Sequence, residues 1–242
     1  MKKVLATIGI GNASVDTVLP STTVRPGESV EAEVRMEGGN AEQDVSRIEL
    51  EVETRFLTED GYRDGTVGRM GLSNGFTLEP DEERVETTTI EIPWSTPVTV
   101  GNVDVWVETE LDVTGVDPED KDYLDVEPTE RLQAVFDALE ELGLSLYESE
   151  CSRDQYGRYG GGVVQEFEFR PSGGPFAGDL DEIEVIASES ADELVVYLEV
   201  DRRGGLFSEM TDTDESHTSL TVTSTDPATV REDLRRTIEQ YV

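Results

Sequence analysis

Residues 29–37 read "SVEAEVRME", which sets Val30, Ala32, Val34 and Met36 on one face and Glu31, Glu33, Arg35 and Glu37 on the other. A period of two is the signature of a strand with one buried and one wet face. "RIELEVETRF" at 47–56 repeats it, with Ile48, Leu50, Val52 and Phe56 pointing in. "NVDVWVETELDV" at 102–113 does so again through Val103, Val105, Val107, Leu111 and Val113. Turn chemistry falls between these runs at Pro26-Gly27, Gly38-Gly39-Asn40, Asp60-Gly61 and Glu79-Pro80-Asp81. Strands with one apolar face each predict antiparallel sheets packed face to face, a β-sandwich over residues 1–127.

The period changes at Pro128. In "PTERLQAVFDALEELGL" the residues Leu132, Val135, Phe136, Leu139 and Leu142 recur at helical spacing, with Thr129 placed to cap and Gly143 to stop. A helix near 129–142 therefore opens a second region, 128–242. Strands follow in "VVQEFEF", "DEIEVIA", "ELVVYLEV" and "SLTVT". The chain ends on "DPATVREDLRRTIEQYV", where Asp226 caps, Pro227 takes the first helical position, and Val230, Leu234, Ile238 and Tyr241 form a stripe over 227–241. The fold class is mainly β, with two helices in the second, mostly β domain.

The 242 residues are 36% hydrophobic, enough for real cores, and carry a formal charge of −36 spread along the whole length. Lys2, Lys3 and Lys121 are the only lysines; all other basic side chains are arginine. A dense carboxylate shell with almost no lysine is the composition expected of a protein from an extreme halophile, where concentrated salt screens self-repulsion. Nucleic acid and anionic membranes need a basic footprint and are excluded as partners by this charge. The N-terminal "MKKVLATIGIGNAS" has an apolar run too short for a signal peptide and reads as a first strand ended by a turn, which favours a cytoplasmic protein without membrane insertion.

Catalytic patterns are sparse. His217 is the one histidine and Cys151 the one cysteine. Any Ser-His or Cys-His arrangement must pass through His217, which lies in the polar approach to a strand; zinc lacks its usual ligands, and no disulfide can form within the chain. "YGRYGGG" at 156–162 departs from phosphate-loop spacing and reads as a hairpin loop. "DVTGVDPEDKDYLD" offers Asp117, Asp120 and Asp122 as oxygen ligands for a cation, but misses the EF-hand order; it reads as a structural loop with loose cation affinity. No cofactor is expected.

Five stretches carry a resemblance to a known family: "RPGESVEAEVRMEGGNAEQDVSRIELEVET", "PVTVGNVDVWVETELDVTGVDPEDKDYLDVEP", "LQAVFDALEELGLSL", "QEFEFRPSGGPFAGDLDEIEV" and "LEVDRRGGLFSEM". In this order along nearly the whole chain, they resemble the SpoOM-type sporulation-control family, which is related to arrestins. The resemblance implies a two-domain arrestin-like architecture and a non-catalytic adaptor or regulatory role exercised through protein contacts. Its expected partner is an unidentified protein, and exposed strand edges leave a homo-oligomer open. The rival readings are a cation- or carbohydrate-binding β-module using Asp117, Asp120 and Asp122, and a carboxylate-based hydrolase needing two acids of separated pKa in a cleft.

Within that resemblance, "VDRRGGLFSEM" at 200–210 sets an arginine pair and a glycine pair beside two bulky apolar side chains. Arg202, Arg203, Leu206 and Phe207 are the candidate protein-contact residues, since arginine and aromatic side chains are favoured anchors. The competing reading is a turn whose arginines pair with nearby acids.

Overall fold

The computed structural model describes residues 13–72, 75–154, 157–159, 162–203 and 215–242. Its strands form three sheets. The first has the order β1-β3-β7, from Ser14–Val18 (β1), Ser29–Glu37 (β3) and Glu83–Glu91 (β7), all antiparallel. The second contains Thr23–Val24 (β2), Gln43–Thr58 (β4), Gly61–Leu72 (β5), Phe76–Leu78 (β6), Val105–Val113 (β8) and Glu119–Val126 (β9). Its order is β2-β9-β8-β4-β5, with β6 paired to β4. The third is a five-stranded antiparallel sheet in sequence order: Leu144–Asp154 (β10), Gly162–Pro171 (β11), Leu180–Glu189 (β12), Leu194–Arg202 (β13) and Glu215–Val222 (β14). Two described helices accompany it, Glu130–Glu141 (α1) and Pro227–Ile238 (α2).

The mainly β fold expected from the alternation is present. In β3 every second residue is buried, so Val30, Ala32, Val34 and Met36 join Ile48, Leu50, Val52 and Phe56 of β4 and Val105, Val107, Leu111 and Val113 of β8 in the sandwich core. Burying each such side chain stabilises by roughly 1.5–3 kcal/mol before chain entropy is counted. Turn chemistry closes the layers. Gly27, at φ 83°, lies where an added Cβ would meet the Trp94 ring at 2.3 Å.

In the third sheet, Phe167, Phe169, Ile183, Val185, Leu194, Val196, Leu198 and Val200 are buried with Leu132, Val135 and Leu139 of α1 and Val230, Leu234 and Ile238 of α2. Phe136 packs edge-on to Phe167 with ring centroids 5.0 Å apart. Both caps are as the sequence predicts. Thr129 Oγ1 accepts from the Leu132 amide at 3.2 Å, and Asp226 accepts from Ala228 and Thr229. Gly143 ends α1 at φ 81°. Helix α2 stops at Ile238, three residues before the expected end.

Two expectations need correction or placement. Of the stretch 112–125 read as a cation-binding loop, 112–113 end β8 and 119–125 belong to β9; only 114–118, with Asp117, lie between the strands. The alternation of β9 is hard to see because Asp120 and Asp122 occupy the positions that face inward, ahead of Leu124 and Val126. The strand expected at the N-terminus lies outside the described residues. No helix among the described residues is long and apolar enough to cross a membrane.

Candidate functional site

Strand β13 ends where the sequence placed its contact loop. Arg202 pairs in register with Leu180 of β12. Arg203 donates its amide to the Asp179 carbonyl at 3.0 Å, and its Nε lies 3.0 Å from Asp181 Oδ1. Both side chains of that ion pair are about half exposed, so its contribution to stability is small. Leu206 and Phe207 lie outside the described residues.

Two of the three aspartates of the cation reading accept backbone hydrogen bonds within the fold. Asp117 Oδ1 accepts from the Val113 amide at 2.9 Å and so braces the β8–β9 turn. Asp120 Oδ2 accepts from the Thr17 amide at 2.7 Å and ties β9 to β1. Asp122 sits beside it; burial, then the charge and hydrogen bond of Asp120, push its carboxyl up to about 7. Among the described residues no group of three or more His, Cys, Asp or Glu side chains is arranged to hold a metal ion.

Two further carboxylates are raised in the same way. Glu53 on β4 is pushed up to about 7 by burial and by the hydrogen bond and charge of Glu108. Trp106 Nε1 donates to both carboxylates at 3.1 Å, while Lys121 Nζ covers the indole ring at 3.4 Å from its centroid. Glu184 on β12 is pushed up to about 7 by burial, then by the charges of Glu199, Glu166, Glu182 and Glu168. The Cys151 thiol is buried and pushed up to about 12 by desolvation, which makes it a poor nucleophile.

Glu184 also lines a shallow, open depression on the outer face of the third sheet, together with Arg158, Tyr159, Tyr197, Glu199 and His217. Register builds it. Glu184 of β12 faces Glu199 of β13, which faces His217 of β14, and His217 Nδ1 lies 3.2 Å from Glu199 Oε2. Asp154 holds the rim by accepting from the amides of Arg158 and Tyr159 at 2.9 and 2.8 Å. The Tyr159 ring then meets Tyr197 edge-on with centroids 4.9 Å apart. Sequence reasoning missed this grouping and treated His217 and "YGRYGGG" separately. The available signal was the outward register of acids on consecutive strands, which becomes a site only once strand order is known.

Sandwich, five-stranded sheet and paired helices together define a mostly β protein of arrestin-like fold. Residues 1–204 match the family described as SpoOM protein. The chain is 38% identical over 207 residues to the sporulation-control protein spo0M of Bacillus subtilis (strain 168), covering 84% of this chain and 80% of that one. It is also similar to the crystal structure of Spo0M, sporulation control protein, from Bacillus subtilis, with a TM-score of 0.86, 34% identity, and coverage of 96% of this chain and 100% of that one. The chain belongs to the SpoOM family.

Proposed function

We propose that the protein is a non-catalytic, arrestin-like adaptor that regulates by binding another protein in the cytoplasm. The observation that carries this reading is the near full-length likeness to a sporulation-control protein in both sequence and fold. Its contact surface includes the end of β13, where Arg202 and Arg203 are exposed, together with Leu206 and Phe207. The charge of −36 and near absence of lysine support operation in concentrated salt.

The test is crosslinking in a lysate of the source organism kept at native salt, followed by capture of the tagged chain. Wild type is compared with a Leu206→Ser, Phe207→Ser variant and an Arg202→Ser, Arg203→Ser variant, each checked for its native circular dichroism. A specific protein retained by wild type and lost from either variant supports the adaptor and locates its surface. An unchanged partner set removes the loop from the reading. Recovery of no specific partner removes the adaptor itself.

A further inference from the structure

Strand β7 is an edge of the first sheet: β3 pairs with it on one side, and among the described residues no strand pairs with it on the other. An open edge presents amides and carbonyls that can template another strand. Most other edges are blunted. Strands β1 and β2 are five and two residues long, β5 carries a register shift and four glycines, and β10 is shifted between Leu146 and Glu148. Strand β14 follows directly on residues 204–214, which lie outside the described ones. Strand β7 runs nine residues against β3 without a shift.

The ladder fixes which groups that edge offers. The Ile92 amide donates to the Glu28 carbonyl and the Gly38 amide to the Glu82 carbonyl, both at 2.8 Å, and these pairs continue the register of β3 on β7 at its two ends. Hydrogen-bonded and non-hydrogen-bonded pairs alternate along an antiparallel ladder. The even-numbered residues of β7 therefore bond to β3, and Glu83, Val85, Thr87, Thr89 and Glu91 turn their amides and carbonyls to the open side. The same residues carry exposed side chains, with Val85 at 56%.

Charge decides what fits there. Antiparallel pairing with the β7 of a second copy about Val85 sets Val85 against the partner's Val85, Glu83 against the partner's Thr87, and Arg84 against the partner's Glu86. Within one chain Arg84 Nη2 lies 2.7 Å from Glu86 Oε1, with side-chain exposures of 35% and 37%, so both stay accessible from the open side. Moving the two-fold axis to Glu86 opposes that residue to itself, and moving it to Thr87 opposes Glu83 to Glu91. Like charges directly opposite each other are destabilising. Of these registers only the one about Val85 is complementary in charge, and two-fold pairing closes into a dimer.

We propose that β7 is a self-association edge, at which two copies of this chain join antiparallel about Val85 and merge their first sheets into one continuous sheet. The proposal stands apart from the adaptor reading and from the Arg202–Phe207 loop. A shared ladder this short is a small contact, so the dimer is expected to be weak and reversible. With a charge of −36 on each copy it should tighten in salt, as the Debye length falls from about 10 Å at 0.1 M to about 3 Å at 1 M.

Sedimentation equilibrium of the full chain over a range of protein concentrations reads the association, in molar potassium chloride and at the lowest salt that keeps its native circular dichroism. The expected result is a reversible monomer to dimer equilibrium that tightens with salt. Val85→Pro removes an outward amide without touching the bonds to β3, and should weaken the dimer at least about tenfold. Arg84→Glu and Glu86→Arg, each checked for native circular dichroism, should weaken it likewise. An equimolar mixture of those two should restore association, because each supplies the charge the other lacks. Val85→Cys should give a disulfide-linked dimer under mild oxidation and Thr89→Cys none, while Cys151 is buried and does not compete. A chain that stays monomeric at every concentration and salt overturns the proposal. So does a dimer indifferent to Val85→Pro, or one that the charge mixture fails to restore. Crosslinking of Val85→Cys only to another protein of the lysate assigns the edge to a foreign strand and equally overturns it.

Discussion

The side chain of Gln165 clasps both backbone polar groups of Val98: its Nε2 donates to the Val98 carbonyl at 2.8 Å and its Oε1 accepts from the Val98 amide at 2.7 Å. The same Nε2 donates to Ser149 Oγ at 2.9 Å. Val98 belongs to the segment after β7 and Gln165 to β11, so one amide side chain joins the sandwich to the third sheet much as a strand would. Glu150, which accepts from the Tyr62 hydroxyl at 2.7 Å, lies on the same edge. Gln165→Leu should cost about 1–3 kcal/mol, because the Val98 amide loses its partner while Val98 is only 1% exposed; the Val98 carbonyl still accepts from the Val100 amide at 2.8 Å. Chemical denaturation in high salt measures this, and Gln165→Glu should restore only the bond from the Val98 amide.

Backbone sign gives a second test. Gly143 at φ 81° lies where a Cβ would approach the Gly173 carbonyl oxygen to 2.4 Å, whereas at Gly27 the obstacle is the Trp94 side chain. Both alanine variants carry the left-handed penalty of about 1–2 kcal/mol. Gly143→Ala should lose more, since backbone yields less readily than a ring. Thermal melts rank the two, and Trp94 fluorescence should shift only in Gly27→Ala.

The raised carboxyls set a pH dependence with a definite sign. Burial and neighbouring carboxylates push Glu53, Asp122 and Glu184 up to about 7 in the folded chain, from ordinary values of 4.5, 3.8 and 4.5. The folded state therefore holds protons that the unfolded state has released between about pH 4 and 7. This contribution favours folding fully below the unfolded values and is lost as pH rises through 7. Asp226 works in the opposite direction: its carboxyl is lowered, chiefly by the Thr229 hydroxyl and then the Ala228 amide, and its cap is lost in stronger acid. At low ionic strength the melting temperature should rise from pH 8 to about pH 5.5. Glu184→Gln should raise it at pH 8 and flatten the slope.

Salt should act on the same repulsion. With a net charge of −36, the chain is expected to melt higher in molar potassium chloride than at 0.1 M, as the Debye length falls from about 10 Å to about 3 Å. The pH slope should shrink in the same series, because screening and protonation relieve one strain. A melting temperature indifferent to salt would contradict the halophilic reading.

Legibility in the sequence followed the contrast between faces. Strands β3, β4 and β8 alternate apolar with charged residues and could be read directly, as could both helices from their caps. Strand β5 carries Gly61, Gly65, Gly68 and Gly71, which hide it among turns. Gly65 and Gly68 lie where a Cβ would strike Phe56 and Pro93, each at 2.6 Å. Strand β10 is masked because Ser149 and Cys151 are its buried residues near the sandwich. Family resemblance reached the overall architecture. The row Glu184, Glu199, His217 could not be read locally, because only the order of β12, β13 and β14 brings it together.

Helix α1 is tied to β12 by a buried ion pair, and this supplies the strongest stability prediction. Arg131 Nε lies 3.0 Å from Glu189 Oε1, with side-chain exposures of 13% and 5%. The Thr129 hydroxyl donates to the same carboxylate at 2.7 Å while accepting from the Leu132 amide, so Glu189 also orients the helix cap. Glu189→Ala removes the anion, strands the arginine and frees the cap, and should cost about 3–5 kcal/mol. Replacing both partners, as Glu189→Leu with Arg131→Met, leaves no uncompensated charge and should cost less than the single change. Denaturant midpoints for Glu189→Leu, Arg131→Met and the double variant decide this. If the double variant loses the sum of the two single losses, the coupling across this pair is absent.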